Sequence, residues 1–457
     1  MSNTIAAIST AVGEAGIGIV RISGSDAINI GNSIFRGINT KQLNVGDNRK
    51  LIYGHIVEGE EIVDEVLITY MKEPFTYTRE NMVEIYCHGG IIPVRKVLEL
   101  LLRSGARLAE PGEFTKRAFL NGRLDLSQAE AVMDIIESKT DKSYEVSLKQ
   151  LEGSLSHKVR DIGDLLLAMI AHVEVSIDFP DHEVDEITYE EMIRDAKTVK
   201  EEIEKLLATA DRGKILRDGL NTIILGKPNV GKSSLLNAIL RENRAIVTDI
   251  PGTTRDIIEE FINIDGIPLK IVDTAGIRDT EDIVEKLGVD RAKDTVEMAD
   301  LIIAVFDASR ELTKEDYSII ELIKDKKTIA LLNKSDLKSA YDEEYLKKLL
   351  NGKHVISSSI TTGVGVDLLE DSIKDMFYSG QIEIDSGIIV NNMRHKNQLE
   401  LAFKSIASAL VDIEAGVPLD CIEVDLRNCW EDLGEITGDS VAEDIIDKIF
   451  AEFCLGK

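Results

Sequence analysis

At 457 residues the chain is too long for one ordinary domain, and about two to four domains are expected. A hydrophobic fraction of 44% without low-complexity tracts excludes a disordered chain, and no apolar stretch reaches the length a membrane span needs. The formal charge of -29 excludes long-range attraction to nucleic acid, so contact with RNA needs a local basic patch or a partner's surface; four cysteines without CxxC spacing exclude a zinc ribbon or disulfide scaffold and fit a reducing cytoplasm. The first 21 residues are apolar but Gly-rich, carry Glu14 and lack a basic leader, so they read as a strand-forming start rather than a signal peptide. Residues 1–119 alternate short β-branched runs with glycine, as in GIGIVRISG (16–24) and EVLITYMKEPFTY (65–77), and predict an α+β domain with tight turns. From about Leu124 the pattern turns helical: residues 129–177 are apolar at helical spacing, FPDHEV (179–184) interrupts them, and a second helix is predicted over 189–210.

The pattern then changes again. NTIILG (221–226), LKIVDTAG (269–276), LIIAVFDAS (301–309) and TIALLNKSD (328–336) are buried-strand runs, each followed by a loop and a helical segment, which predicts a doubly wound, mainly parallel sheet. Helical periodicity returns after about Tyr378, in 397–416 and 442–453. The expected fold is therefore a multidomain α/β protein: an N-terminal α+β domain (1–119), a helical-bundle domain in two pieces (120–216 and 378–457), and a nucleotide-binding domain (217–377) inserted between them.

GKPNVGKS (226–233) follows one predicted strand and opens a helix, the context a phosphate-binding loop requires. Gly226 and Gly231 permit the tight backbone that turns successive N–H groups of Asn229, Val230, Gly231, Lys232, Ser233 and Ser234 toward phosphate; Lys232 supplies a point charge and the Ser233 hydroxyl a magnesium ligand. The bland alternative is a Gly-rich turn without a ligand. Three further signals in the right order weigh against it. In DTAG, the candidate nucleotide-site segment Asp273, Thr274, Ala275 and Gly276, Asp273 can hold magnesium through water while the backbone of Gly276 senses the γ-phosphate. In NKSD, Asn333, Lys334 and Asp336 follow a strand, and Asp336 can accept from the N1–H and exocyclic amine of guanine, a donor pair adenine lacks. PGTTRD (251–256) lies between the phosphate loop and DTAG with threonines suited to a magnesium shell, and Ser359, Ile360 and Thr361 form the candidate last loop. Ras-like switches place a water-orienting glutamine just after DTAG; here Ile277 stands there and cannot do so. Another group must act, and the acidic run 279–286 is the nearest source, with a solvated loop as the alternative reading.

Beyond these motifs, the segments TIAAISTAVGEAGIGIVRISG (4–24), EIYCHGG (84–90), RLAEPGEFTKRAFLNGRLDLSQAEA (107–131), FPDHEVDEI (179–187) and the terminal CLGK (454–457) resemble the MnmE (TrmE) family of potassium-activated bacterial tRNA-modification GTPases over nearly the whole chain. The resemblance implies a cytoplasmic homodimer joined through its N-terminal domains. It implies an FAD-binding partner of the MnmG type, in a hetero-tetramer or larger assembly that holds much of the tRNA, and installation of an aminomethyl-type group at carbon 5 of the wobble uridine. It implies magnesium ligands at Ser233 and Thr254, potassium ligands at Asn229, Thr248, Ile250 and Thr253, and Glu285 as the carboxylate that positions water. The one-carbon donor implied is 5,10-methylene- or 5-formyl-tetrahydrofolate, with Arg21, Glu84, Arg123 and Lys457 as its contacts; Arg123 stands where some members carry lysine, which keeps charge but not geometry. An ordinary surface ion pair is the alternative for Arg21 and Glu84. For Cys454 the sequence leaves an incidental thiol or, by resemblance, a functional one, since LGK does not complete a prenylation box; His88 is structural or a proton carrier. A ribosome-assembly or RNA-binding GTPase shares the nucleotide motifs but should carry a basic RNA-binding module. A GTP-binding scaffold should have lost Lys232, Asp273 or Glu285, and all three are present.

Overall fold

The computed structural model describes residues 4–38, 42–178, 189–242, 245–246, 260–272, 296–378 and 387–457. In chain order the first block comprises β1 (Ile5–Ile8), β2 (Ala15–Ser23), α1 (Ala27–Ile34), β3 (Phe35–Gly37), β4 (Leu51–Glu58), β5 (Glu61–Met71), β6 (Met82–Gly89), α2 (Ile91–Arg103), β7 (Arg107–Leu108) and α3 (Glu113–Leu120). The strands form one sheet in the order β3-β4-β5-β6-β2-β1-β7, antiparallel except for β1 beside β7. Alternation puts Val20, Ile22, Val83 and Ile85 against α1 and α2, while Ile5, Ala7 and Met82 meet Phe114 of α3 in a smaller cluster. The β-branched run 65–77 is strand only in part: β5 stops at Met71, before Pro74 would remove a donor from the ladder.

The long helical run of 129–177 is three helices, α4 (Leu126–Glu137), α5 (Asp141–Leu151) and α6 (Ser154–Asp178). Thr140 starts α5 with a reciprocal cap on Ser143, and Gly153, at φ +93°, turns the chain into α6. The next helix, α7 (Tyr189–Asp218), outruns its expected end at 210 by two turns. Gly213 lets this extension pack closely on the returning chain, because a Cβ there would lie 2.0 Å from the Val390 carbonyl oxygen.

The central block is β8 (Leu220–Leu225), α8 (Lys232–Glu242), β9 (Ala245–Ile246), β10 (Glu260–Ile264), β11 (Ile267–Ile271), β12 (Leu301–Asp307), α9 (Lys314–Leu322), β13 (Thr328–Asn333), α10 (Glu343–Leu349), β14 (His354–Ser357) and α11 (Val366–Tyr378). Its sheet runs β14-β13-β12-β8-β11-β10-β9; the first five strands are parallel and the last two antiparallel. Leu301, Ile303 and Val305 enter one apolar cluster and Ile302, Ala304 and Phe306 another, on opposite faces, so β12 is apolar at every position from 301 to 306.

The chain closes with α12 (Met393–Glu414), α13 (Leu419–Thr437) and α14 (Glu443–Ala451). Helix α13 is absent from the expected elements, although Ile422, Leu426, Cys429, Leu433 and Ile436 repeat at helical spacing and are all buried. With α6, α7 and α12 it shares one core built from residues 155–210 and 390–436. Helix α14 packs through Ile446 and Phe450 on Leu126, Ala129 and Met133 of α4, and its Asp447 pairs with Lys116 of α3.

Candidate functional site

Strand β8 delivers the chain into the loop 226–231 beneath α8. Gly226 has φ +156°, and a Cβ there would sit 2.5 Å from the Val305 carbonyl oxygen; Gly231 has φ +111°, and a Cβ would meet Asn333 Nδ2 at 2.4 Å. Side chains are excluded at both positions by neighbouring structure as well as by conformation. Asn229 adopts the left-handed region at φ +61°, where asparagine is tolerated better than most residues, and Val230 is buried behind the loop. The Lys232 ammonium folds across the loop, donating to the carbonyls of Gly226 at 2.5 Å and Lys227 at 2.9 Å. Ser233 and Ser234 occupy the exposed first turn of α8. Lys227 pairs with Asp316 at 2.5 Å and donates to the Thr313 hydroxyl at 3.0 Å, which ties the loop to the start of α9.

The ends of β12, β13 and β14 meet beside this loop. Buried Asn333 donates from Nδ2 to the Val230 carbonyl at 2.7 Å and accepts from the Ile360 N–H at 3.2 Å. One amide therefore joins the phosphate loop, the NKSD turn and the 358–361 loop. Ser359 donates its hydroxyl to Asp336 Oδ1 at 2.7 Å, and the Ser335 N–H donates to the Ser358 carbonyl at 3.0 Å. Lys334, at φ +65°, reaches Asp307 Oδ2 at 2.7 Å. Burial alone would raise the Asp307 pKa, but Lys334 and the hydroxyl and N–H of Ser309 outweigh it and hold the carboxyl below its ordinary value. Asp307 was not among the sequence candidates; its signal is the polar DAS that closes the apolar run of β12. Thr361 lies in the exposed turn beyond Ile360. Thr248, Ile250, Thr253, Thr254, Asp273, Thr274, Ala275, Gly276, Ile277 and Glu285 lie outside the described residues.

A second constellation forms on the first sheet. Arg21 on β2 and Glu84 on β6 are direct cross-strand partners, joined at 2.8 Å between Nε and Oε1, and Tyr86 donates to the other Glu84 oxygen at 2.8 Å. Burial and, secondarily, that bond push the Tyr86 phenol up to about 12. The Arg21 guanidinium lies 5.6 Å from the centre of the Tyr77 ring and 5.7 Å from that of Phe114. Arg123 approaches the same Tyr77 ring at 4.6 Å and donates to the Tyr77 carbonyl at 3.2 Å.

The C-terminal residues reach this place as well. Helix α3 has no side-chain N-cap, and two of the N–H groups at its start are taken by the terminal segment: Gly112 donates to the Cys454 carbonyl at 3.4 Å and Phe114 to the Lys457 carbonyl at 3.1 Å. Ser9 donates to the Gly456 carbonyl at 3.2 Å. The structure thus brings Arg21, Glu84, Arg123 and the backbone of Lys457 around Tyr77 and Phe114, with the Cys454 thiol free and exposed. His88 faces outward and bonds Asp64 at 2.6 Å, a contact that raises its pKa.

Among the described residues no group of three or more His, Cys, Asp or Glu side chains is placed to hold a metal ion, and no helix is long and apolar enough to cross a membrane. Residues 4–123 match the family described as GTP-binding protein TrmE N-terminus, and residues 126–454 match the MnmE helical domain. Over its full length the chain is 57% identical to the tRNA modification GTPase MnmE of Alkaliphilus oremlandii, 56% to that of Clostridioides difficile and 52% to that of Bacillus subtilis, covering 100% of each relative.

Proposed function

The chain belongs to the MnmE family of tRNA modification GTPases, and on that premise we propose that it hydrolyses GTP, under potassium activation, to drive modification of the tRNA wobble uridine at carbon 5. In this reading a carboxymethylaminomethyl-type group is installed together with an FAD-containing, MnmG-like partner in the cytoplasm. The active form is a homodimer joined through residues 1–119; residues 217–377 bind GTP, and 120–216 with 378–457 form the bundle between them. The observation that carries the reading is the Asn333 amide, which locks the phosphate loop to both candidate base-binding loops.

The donor set fits a guanine nucleotide. Backbone N–H groups around Gly231 and the start of α8 suit the phosphates. The Lys232 ammonium, lying across the loop on the carbonyls of Gly226 and Lys227, supplies the cation for the terminal phosphates. Asp336, already oriented by Ser359, offers its acceptors to the guanine edge. Ser233 and Thr254 would hold magnesium, and Asn229, Thr248, Ile250 and Thr253 potassium; these cations supply fixed positive charge beside the phosphates as negative charge shifts in the transition state. Glu285 would orient the attacking water. Asn229→Ala should abolish potassium stimulation while GTP still binds; equal rates of the unaltered protein in sodium and potassium refute the assignment. The second constellation suits a reduced folate: Arg123 and Lys457 offer cations for its glutamate carboxylates, and Glu84, steadied by Arg21, an acceptor for its amino-pyrimidine edge. Cys454 would act as a thiol beside it.

The whole reading is tested by mass spectrometry of wobble uridines in cells lacking this protein, with rescue by the intact chain. Unchanged modification would remove the tRNA role and leave GTP hydrolysis standing.

A further inference from the structure

Arg21 and Arg123 belong to different elements, a strand and the turn after α3, yet both guanidiniums converge on one ring, that of Tyr77. Two like charges brought to one ring repel, and of the two Arg21 is paired with a carboxylate, Glu84. The electron-rich face of an aromatic ring offsets part of that cost and fixes where each cation stands. Tyr77 is itself held: its hydroxyl shares a hydrogen bond with Thr115 of α3 at 2.9 Å, and its carbonyl receives the Arg123 guanidinium. Thr115 is fully buried, so the ring is anchored to the element whose first turn the C-terminal segment caps. Neither the sequence motifs nor the family comparison assigns Tyr77 a role.

We propose that Tyr77 is a positioning residue, whose ring fixes where the guanidiniums of Arg21 and Arg123 stand in the place that takes a reduced folate. This rests on the folate reading given above. Without the ring, Arg123 is an exposed, flexible cation, and an anionic ligand would have to order it on binding.

The test uses the full-length protein and 5-formyltetrahydrofolate, with affinity read by calorimetry and folding by the melting midpoint. Tyr77→Leu keeps bulk and removes the π face; Tyr77→Phe keeps the face and loses only the hydroxyl. Tyr77→Leu should weaken binding about tenfold, roughly the worth of a partly shielded cation–π contact, while Tyr77→Phe stays within about twofold of the parent. A structural role alone would not produce that split at matched melting midpoints. Should Tyr77→Leu melt below the assay temperature, Tyr77→Met takes its place. Parent-like affinity for the aliphatic variant, or equal losses in both variants, overturns the proposal. If the parent binds and Arg21→Ala abolishes binding, the folate reading survives that failure. A parent that does not bind removes the folate reading and this proposal with it.

Discussion

Replacing Gly456 by alanine should unseat the C-terminal segment while leaving the rest of the fold in place. The glycine has φ +86°, a conformation that costs an L-residue roughly 1–2 kcal/mol. More decisively, the new Cβ would fall 2.1 Å from the Ile8 carbonyl oxygen and 2.9 Å from its carbon, backbone atoms of a paired strand that have no room to yield. The segment relieves this by lifting off, giving up the bonds from Ser9, Gly112 and Phe114. At about 0.5–1.5 kcal/mol each these three bonds are worth roughly 3 kcal/mol together, which sets the scale of the shift: on the order of a hundredfold in the docked population. Amide exchange reads it directly. The Phe114 N–H lies in the first turn of α3 and has no partner within that helix, so its protection comes from the Lys457 carbonyl and should fall by about two orders of magnitude. Folate affinity should fall with it, because Lys457 is displaced. Parent-like protection at Phe114 in the alanine variant would refute the reasoning.

Asn333→Ala leaves the Val230 carbonyl and the Ile360 N–H without their partner in a buried setting, and calorimetry should show GTP binding weakened at least about tenfold; unchanged affinity would mean the three loops hold together without it. Asp336→Asn replaces one acceptor by a donor, so affinity should swing from GTP toward xanthosine triphosphate, whose base carries a carbonyl where guanine has its amine; a competition assay that still favours GTP defeats the assignment of the base-binding loop. Glu130 is buried, which by itself raises its pKa, but His395 and Arg394 pull it down to about 2. A depressed carboxyl contributes stability that is complete above its unfolded value near 4.3 and disappears as pH falls toward about 2. Denaturant titrations at several pH values should therefore show a shallower acid limb for Glu130→Gln than for the parent, and identical limbs would contradict the ion-pair account.

Legibility in the sequence followed chemistry. The loop at 226–233 could be read because backbone geometry there demands glycine at fixed spacing, and the strand runs because burial on both faces leaves no polar position. The contacts that assemble the loops were not legible. Asn333 reads as a base-contacting residue of NKSD, and nothing in its spacing says that its amide spans to Val230, 103 residues away. Tyr77 follows an apolar run that ends in a turn, and its two cations come from positions 21 and 123. The breaks at 138–140 and 152–153 were masked by periodicity that continues through them, whereas α13 went unread although its apolar stripe is regular.

Asp134 on α4 gives the molecule a clasp. One of its oxygens takes Arg217, at the last turn before β8, and the other takes Asn391, just ahead of α12. The two strands of chain that leave for the nucleotide-binding block and come back from it are thus stapled to a single buried carboxylate, with Gly213 pressed on Val390 alongside. The same block is held at a second place, where Thr140 and Lys142 donate to the carbonyls of Gly266 and Asp265 in the β10–β11 turn. Both holds thus fall on α4 and α5, and α4 is the helix that packs against the last helix of the chain.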